Sequence, residues 1–102
     1  MVRGKNIELT QEIRDYAEAK LAHVTDQLAD ETAVDLELAE ESGARHLAEA
    51  SVHLKGQTLH ASEEDKTHRG AIDRLCANLE RQIVRYREKR RLEPRRRTVH
   101  HD

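Results

Sequence analysis

Tryptophan and phenylalanine are absent, and tyrosine occurs only twice among the 102 residues. A core without large aromatic rings must be aliphatic, built from Leu, Ile, Val and Ala, and a chain this short makes one small domain. The single cysteine, Cys76, excludes an internal disulfide and a multi-cysteine zinc site. No run of about 18 apolar residues occurs, which excludes a helical membrane span. The opening MVRGKNIELT has no apolar stretch of signal-peptide length. A soluble protein of a reducing compartment, the cytoplasm, is the expectation. The sequence also lacks G-x-S-x-G, a P-loop, a dinucleotide fingerprint and H-E-x-x-H. No catalytic residue, cofactor or small-molecule substrate is expected, and the protein is read as a non-enzyme.

What is abundant is charge, and it is unevenly placed. The formal net charge is only −2. Residues 1–25 balance at zero, 26–65 carry a net −9, and 66–97 carry a net +8. Such asymmetry points to a polyanionic partner for the basic third. The alternative is a solvated helix with an arginine-rich end.

The apolar pattern divides the chain into six elements. Met1–Arg3 can begin a strand. Thr10 is placed as an N-cap, with Glu12 in the first turn. Ile13, Ala17, Leu21, Val24 and Leu28 then recur at helical spacing, and the helix ends near Asp30. From Val34 the period becomes two: Val34, Leu36 and Leu38 alternate with Asp35 and Glu37. Glu41-Ser42-Gly43 reads as a turn. Ala48, Ala50, Val52 and Leu54 form the next strand, and Gly56-Gln57 reads as a Gly-first hairpin loop. That loop sets Leu54 opposite Leu59 and His53 opposite His60. The next strand runs over about 58–64, and a long helix over about 66–91. The order implies a parallel first pair, an antiparallel meander, and both helices on the apolar side of one sheet. The fold class is therefore α+β: a two-layer β-α-β-β-β-α sandwich with a four-stranded mixed sheet. Its domain is expected to cover residues 1–92. Residues 93–102, with Pro94 and the Arg95-Arg96-Arg97 run, are expected to form a disordered basic tail.

The last helix carries the clearest functional signal. Ile72, Leu75, Cys76, Ile83 and Tyr86 fall within about 60° of Leu79 on a helical wheel. Arg74, Asn78, Arg81, Arg85 and Lys89 fall together at about 200–280° on the same wheel. Like charges at this spacing repel, and bound phosphates would offset the cost. Tyr16, Lys20, His23 and Gln27 line one flank of the first helix. If the two flanks meet in a groove, Lys20 and His23 extend the basic surface.

Other constellations carry less. His53 and His60 supply too few ligands for a zinc site and read as exposed strand residues, so no metal site is expected. His100-His101 read as solvated. Cys76 reads as a small core residue. The acid groups Glu40-Glu41 and Glu63-Glu64-Asp65 read as solvated strand ends.

RGKNIELT (3–10), RDYAEAKL (14–21), AIDRL (71–75) and NLERQIVRYREK (78–89) resemble the ribosome hibernation-promoting factors, also called ribosome-associated inhibitors or protein Y. The likeness covers residues 2 to about 91. It implies a fold similar to double-stranded-RNA-binding domains. It also implies binding to the small ribosomal subunit, in the channel used by mRNA and tRNA, with basic helix residues on the 16S rRNA backbone. Lys20, Arg81 and Arg85 fall on positions usually basic in that family, whereas His23 and Asn78 stand where lysine is common. The expected rRNA-binding set is thus Lys20, His23, Arg74, Asn78, Arg81, Arg85 and Lys89. The C-terminal domain through which long members pair ribosomes has no counterpart here. The chain is either a short form or the N-terminal part of a longer protein, and a homodimer would form through that missing domain. A general double-stranded-RNA binder and a non-ribosomal protein-interaction domain are the competing readings. No membrane partner is expected.

Overall fold

In the computed structural model, residues 1–26, 28, 33–41 and 44–100 are described, with side chains as far as Lys89. Six elements follow one another: β1 (Val2–Gly4), α1 (Gln11–Thr25), β2 (Ala33–Glu41), β3 (Arg45–Leu54), β4 (Gln57–Asp65) and α2 (His68–His100). The strands form one sheet in the order β1-β2-β3-β4. β1 pairs parallel with β2, and the other two pairings are antiparallel. α2 packs on β3, β4 and α1, and α1 also reaches β1. This is the expected two-layer α+β sandwich.

Local chemistry accounts for the element ends. The Thr10 hydroxyl accepts from the Ile13 N–H at 3.1 Å and satisfies one orphan donor of α1. At the other end the Thr25 hydroxyl donates to the Leu21 carbonyl, and the Asp26 N–H bonds Ala22. α1 thus closes at Thr25. Leu28 lies beyond the helix yet still packs on the core. The expected helix end at Asp30, together with Gln27, Ser42, Gly43 and His101, lies outside the described residues. The Arg14 guanidinium donates to the Val2 carbonyl at 2.7 Å and pins α1 to β1. α2 extends past the expected end near Arg91 to His100, so a division at residue 92 does not coincide with the end of an element.

The core is aliphatic, as the composition requires. Leu36, Leu38, Val52, Ile72, Leu75, Leu79 and Ile83 are fully buried. Val34 and Leu54 pack against them, Leu59 is buried, and Asp35, His53 and His60 face solvent.

The hairpin between β3 and β4 differs from the expected one. Leu54 pairs with Gln57, so the loop is Lys55-Gly56 rather than Gly56-Gln57. Gly56 has φ +90°, a conformation that side chains disfavour, and it takes the second loop position instead of the first. Val52 therefore faces Leu59, and His53 faces Thr58 rather than His60. The shift is an even number of residues, so every side chain keeps its expected face.

Candidate nucleic-acid interface

The two helices enclose an open cleft of about 530 Å³. Its lining comes from Lys20 and His23 of α1, and from Asp73, Cys76, Ala77, Glu80, Arg81, Val84 and Arg85 of α2. Lys20, His23, Arg81 and Arg85 therefore converge on one groove. The flank of α2 that faces α1 also carries acids: Asp73 and Glu80. Arg81 and Arg85 stand at the outer margin of that flank, both exposed. Val84, 44% exposed, adds an apolar patch.

Asp73 organises the near end of the groove. Its carboxylate accepts from the Tyr16 hydroxyl and lies 3.3 Å from the Lys20 ammonium. The Tyr16 hydrogen bond, helped by Lys20, holds the Asp73 carboxyl below its ordinary pKa of 3.8. The same contacts raise both Tyr16 and Lys20, chiefly through their hydrogen bonds to Asp73. The Arg69 guanidinium stacks 4.7 Å from the centre of the Tyr16 ring and pairs with Glu12 at 3.3 Å. Cys76 is 4% exposed, and burial pushes its thiol up to about 11. It is a protonated packing residue and not a nucleophile.

Two further members of the expected stripe, Arg74 and Asn78, turn away from this groove. Arg74 lies 3.8 Å from Glu63, and the Asn78 amide donates to Glu63 at 2.8 Å. Gln82 donates to the Asn78 side chain and to the His60 carbonyl, both at 2.8 Å. Arg74, Asn78 and Gln82 thus tie α2 to β4. Lys89 is exposed one helical turn beyond Arg85. Among the described residues, Arg81, Arg85 and Lys89 have no ion-pair partner, whereas Lys20, Arg69 and Arg74 do.

A helical wheel reports angle from the core and not which neighbour occupies each side, which is why it groups Arg74 and Asn78 with Arg81 and Arg85. One signal could have separated them. Glu63 has the parity of Leu59 and Ala61, so it points to the helix side of the sheet and needs polar partners there. On the open face the expected His53–His60 pair is not formed. His53 lies 3.2 Å from Asp35, and His60 bonds Ser51 at 3.1 Å.

Comparison with known proteins accords with this architecture. Residues 1–91 match the family described as "Sigma 54 modulation protein / S30EA ribosomal protein". The "Ribosome hibernation promoting factor" of Salmonella typhimurium is 31% identical over 88 residues, covering 86% of this chain and 92% of that protein. The "Ribosome hibernation promotion factor" of a Picosynechococcus species is 33% identical over 94 residues, and the chain spans only about half (49%) of its length. Among solved structures, the protein Y N-terminal domain of Thermus thermophilus superposes with a TM-score of 0.76 at 36% identity, covering 83% of this chain and 93% of that one. The match over residues 1–91 places the chain in the Sigma 54 modulation protein / S30EA ribosomal protein family.

Proposed function

We propose that this protein is a ribosome hibernation factor that occupies the mRNA and tRNA channel of the small ribosomal subunit and blocks translation without catalysis. The relatives named ribosome hibernation promoting factors support the role. The observation that carries the binding mode is the pair of exposed cations Arg81 and Arg85 in the lining of the interhelical groove, with Lys89 exposed one turn beyond, all three free of ion pairs among the described residues. An unpaired guanidinium neutralises a phosphate without first breaking a protein contact, and each phosphate neutralised releases counterions. Lys20 and His23 complete the interface across the groove. Lys20 exchanges Asp73 for a phosphate as it does so. Arg74 and Asn78 act from the β4 side and hold α2 in place more than they touch RNA. Contacts of this kind go to the backbone, so the shape of the rRNA site and not its base sequence sets specificity.

The test is cosedimentation with purified small subunits through a sucrose gradient. Near-stoichiometric binding that blocks mRNA and initiator tRNA is the expected outcome. Binding that a plain RNA duplex competes away as effectively as small subunits do would replace this reading with a general double-stranded-RNA binder. Capture of a partner that survives nuclease treatment would favour a protein-interaction domain.

A further inference from the structure

A second polar cluster lies away from the groove, at the other end of α2. Glu40 and His46 are directly opposed across β2 and β3. Both have the parity of Leu38 and Ala48, so they point to the helix side of the sheet. The first residue of α2, His68, covers them there. The two imidazoles meet edge to face with centroids 4.3 Å apart. Their side chains are only 16% and 17% exposed, while Glu40 is 50% exposed and opens the cluster to solvent.

The hydrogen bonding of this cluster is incomplete. Both Nδ1 atoms are buried without a partner. The His46 Nε2 bonds the Glu40 Oε1 at 3.0 Å. The His68 Nε2 lies 3.9 Å from the same oxygen, which is too far for a hydrogen bond. His68 therefore has no hydrogen bond through either nitrogen among the described residues. Burial and then the neighbouring His46 lower its pKa from the ordinary value of 6.5, against the opposing pull of Glu40. A neutral imidazole with an unused lone pair is a metal ligand.

We infer that Glu40, His46 and His68 form a binding site for a divalent cation of the zinc class, held by the two Nε2 atoms and one carboxylate oxygen. The three donor atoms lie within 4.8 Å of one another. Tetrahedral ligands about 2.0–2.1 Å from zinc stand roughly 3.3 Å apart, and the 3.0 and 3.9 Å spacings bracket that value. Two imidazoles with one carboxylate favour zinc, cobalt or nickel over magnesium or calcium, which prefer all-oxygen sets. Water on the Glu40 side supplies the fourth ligand. The cation ties the far end of the β2–β3 hairpin to the first turn of α2. It serves as a structural clasp on the helix that carries Arg81 and Arg85, and it stands independently of the ribosomal reading.

The experiment titrates the full chain with Zn²⁺ against a chromogenic chelator, and with Co²⁺ as a spectroscopic probe. Saturable one-to-one binding is expected, with a visible Co²⁺ absorption of tetrahedral or five-coordinate strength and a higher thermal midpoint in Zn²⁺. His68→Ala and Glu40→Gln should each weaken Zn²⁺ binding by at least about tenfold. His53→Ala with His60→Ala, and His100→Ala with His101→Ala, should leave it unchanged. Should His68→Ala fail to fold, Glu40→Gln and the ring-nitrogen NMR shifts of His46 and His68 in the wild type decide the same question. Absence of saturable binding overturns the site. So does binding that survives both cluster variants, or that disappears only with the tail histidines.

Discussion

The two flanks of α2 carry similar side chains and lead different lives. On the β4 side, Arg74, Asn78 and Gln82 are engaged with Glu63 and the His60 carbonyl. On the α1 side, Arg81 and Arg85 border the groove with no anion paired to them among the described residues. The same residue type is a tether where a carboxylate has been placed opposite it, and an exposed charge without an ion pair among the described residues where none has. A cation's function is set by what the fold puts within about 4 Å of it and not by its position on a wheel.

The largest effect should come from the seam between the flanks. Leu79 is fully buried. Leu79→Ala leaves a cavity in the core cluster and should cost on the order of 2–5 kcal/mol in chemical denaturation. A loss below about 1 kcal/mol would mean that the two flanks do not share one rigid support.

Next comes the flank of unpaired cations, proposed above to dock on rRNA. Arg81→Glu with Arg85→Glu should lower small-subunit affinity at least about tenfold near 0.1 M salt and shrink the log–log salt slope by roughly two phosphates. The thermal midpoint should move by only a few degrees, because both side chains are exposed. Unchanged affinity and slope would reduce the free cations to a solvated edge.

The tether flank should respond in stability instead of affinity. Asn78→Ala deletes a hydrogen bond to a carboxylate and should cost roughly 1–3 kcal/mol of stability. The salt slope of ribosome binding should stay as it was. A slope that falls as it does for the arginine pair would erase the distinction between the flanks.

The smallest effect concerns Asp73. Its folded pKa lies below the unfolded value, so its contribution to stability is present above about pH 4 and disappears as pH falls through the folded pKa. Asp73→Asn should remove that part of the acid loss in a pH series of thermal midpoints. It should also free Lys20 and strengthen ribosome binding slightly. Weaker binding would show that the Asp73–Lys20 pair presents Lys20 correctly and does not restrain it.

Much of this fold is legible in the sequence because it depends on local periodicity. Alternation in 34–38 and 48–54, and the 3.6-residue stripe through Leu75, Leu79 and Ile83, dictate which side chains meet in the core. The β3–β4 register departs from the expected one by an even step and moves no residue to the wrong face, since face depends only on parity. Helix length is harder to read. Thr25 ends α1 through its hydroxyl and the Asp26 N–H, although the apolar spacing continues to Leu28.

The groove is half legible. Lys20, His23, Arg81 and Arg85 do converge, but Arg74 and Asn78 belong to another neighbour. His46 shares the core parity of Ala48 and Ala50, which is enough to mark it as a half-buried imidazole. Its meeting with His68 is not legible, because 22 residues and a hairpin separate them.

The sequence by itself determined the elements, their buried faces and the surplus of positive charge on the last helix, since each follows from short-range spacing and composition. Only the tertiary structure decided which cations are spent on Glu63 and Asp73, which are left without an ion pair among the described residues, and which histidines meet. Those outcomes depend on distances between elements remote in the chain, and a charge or a lone pair is neutralised by whatever lies within a few ångströms of it.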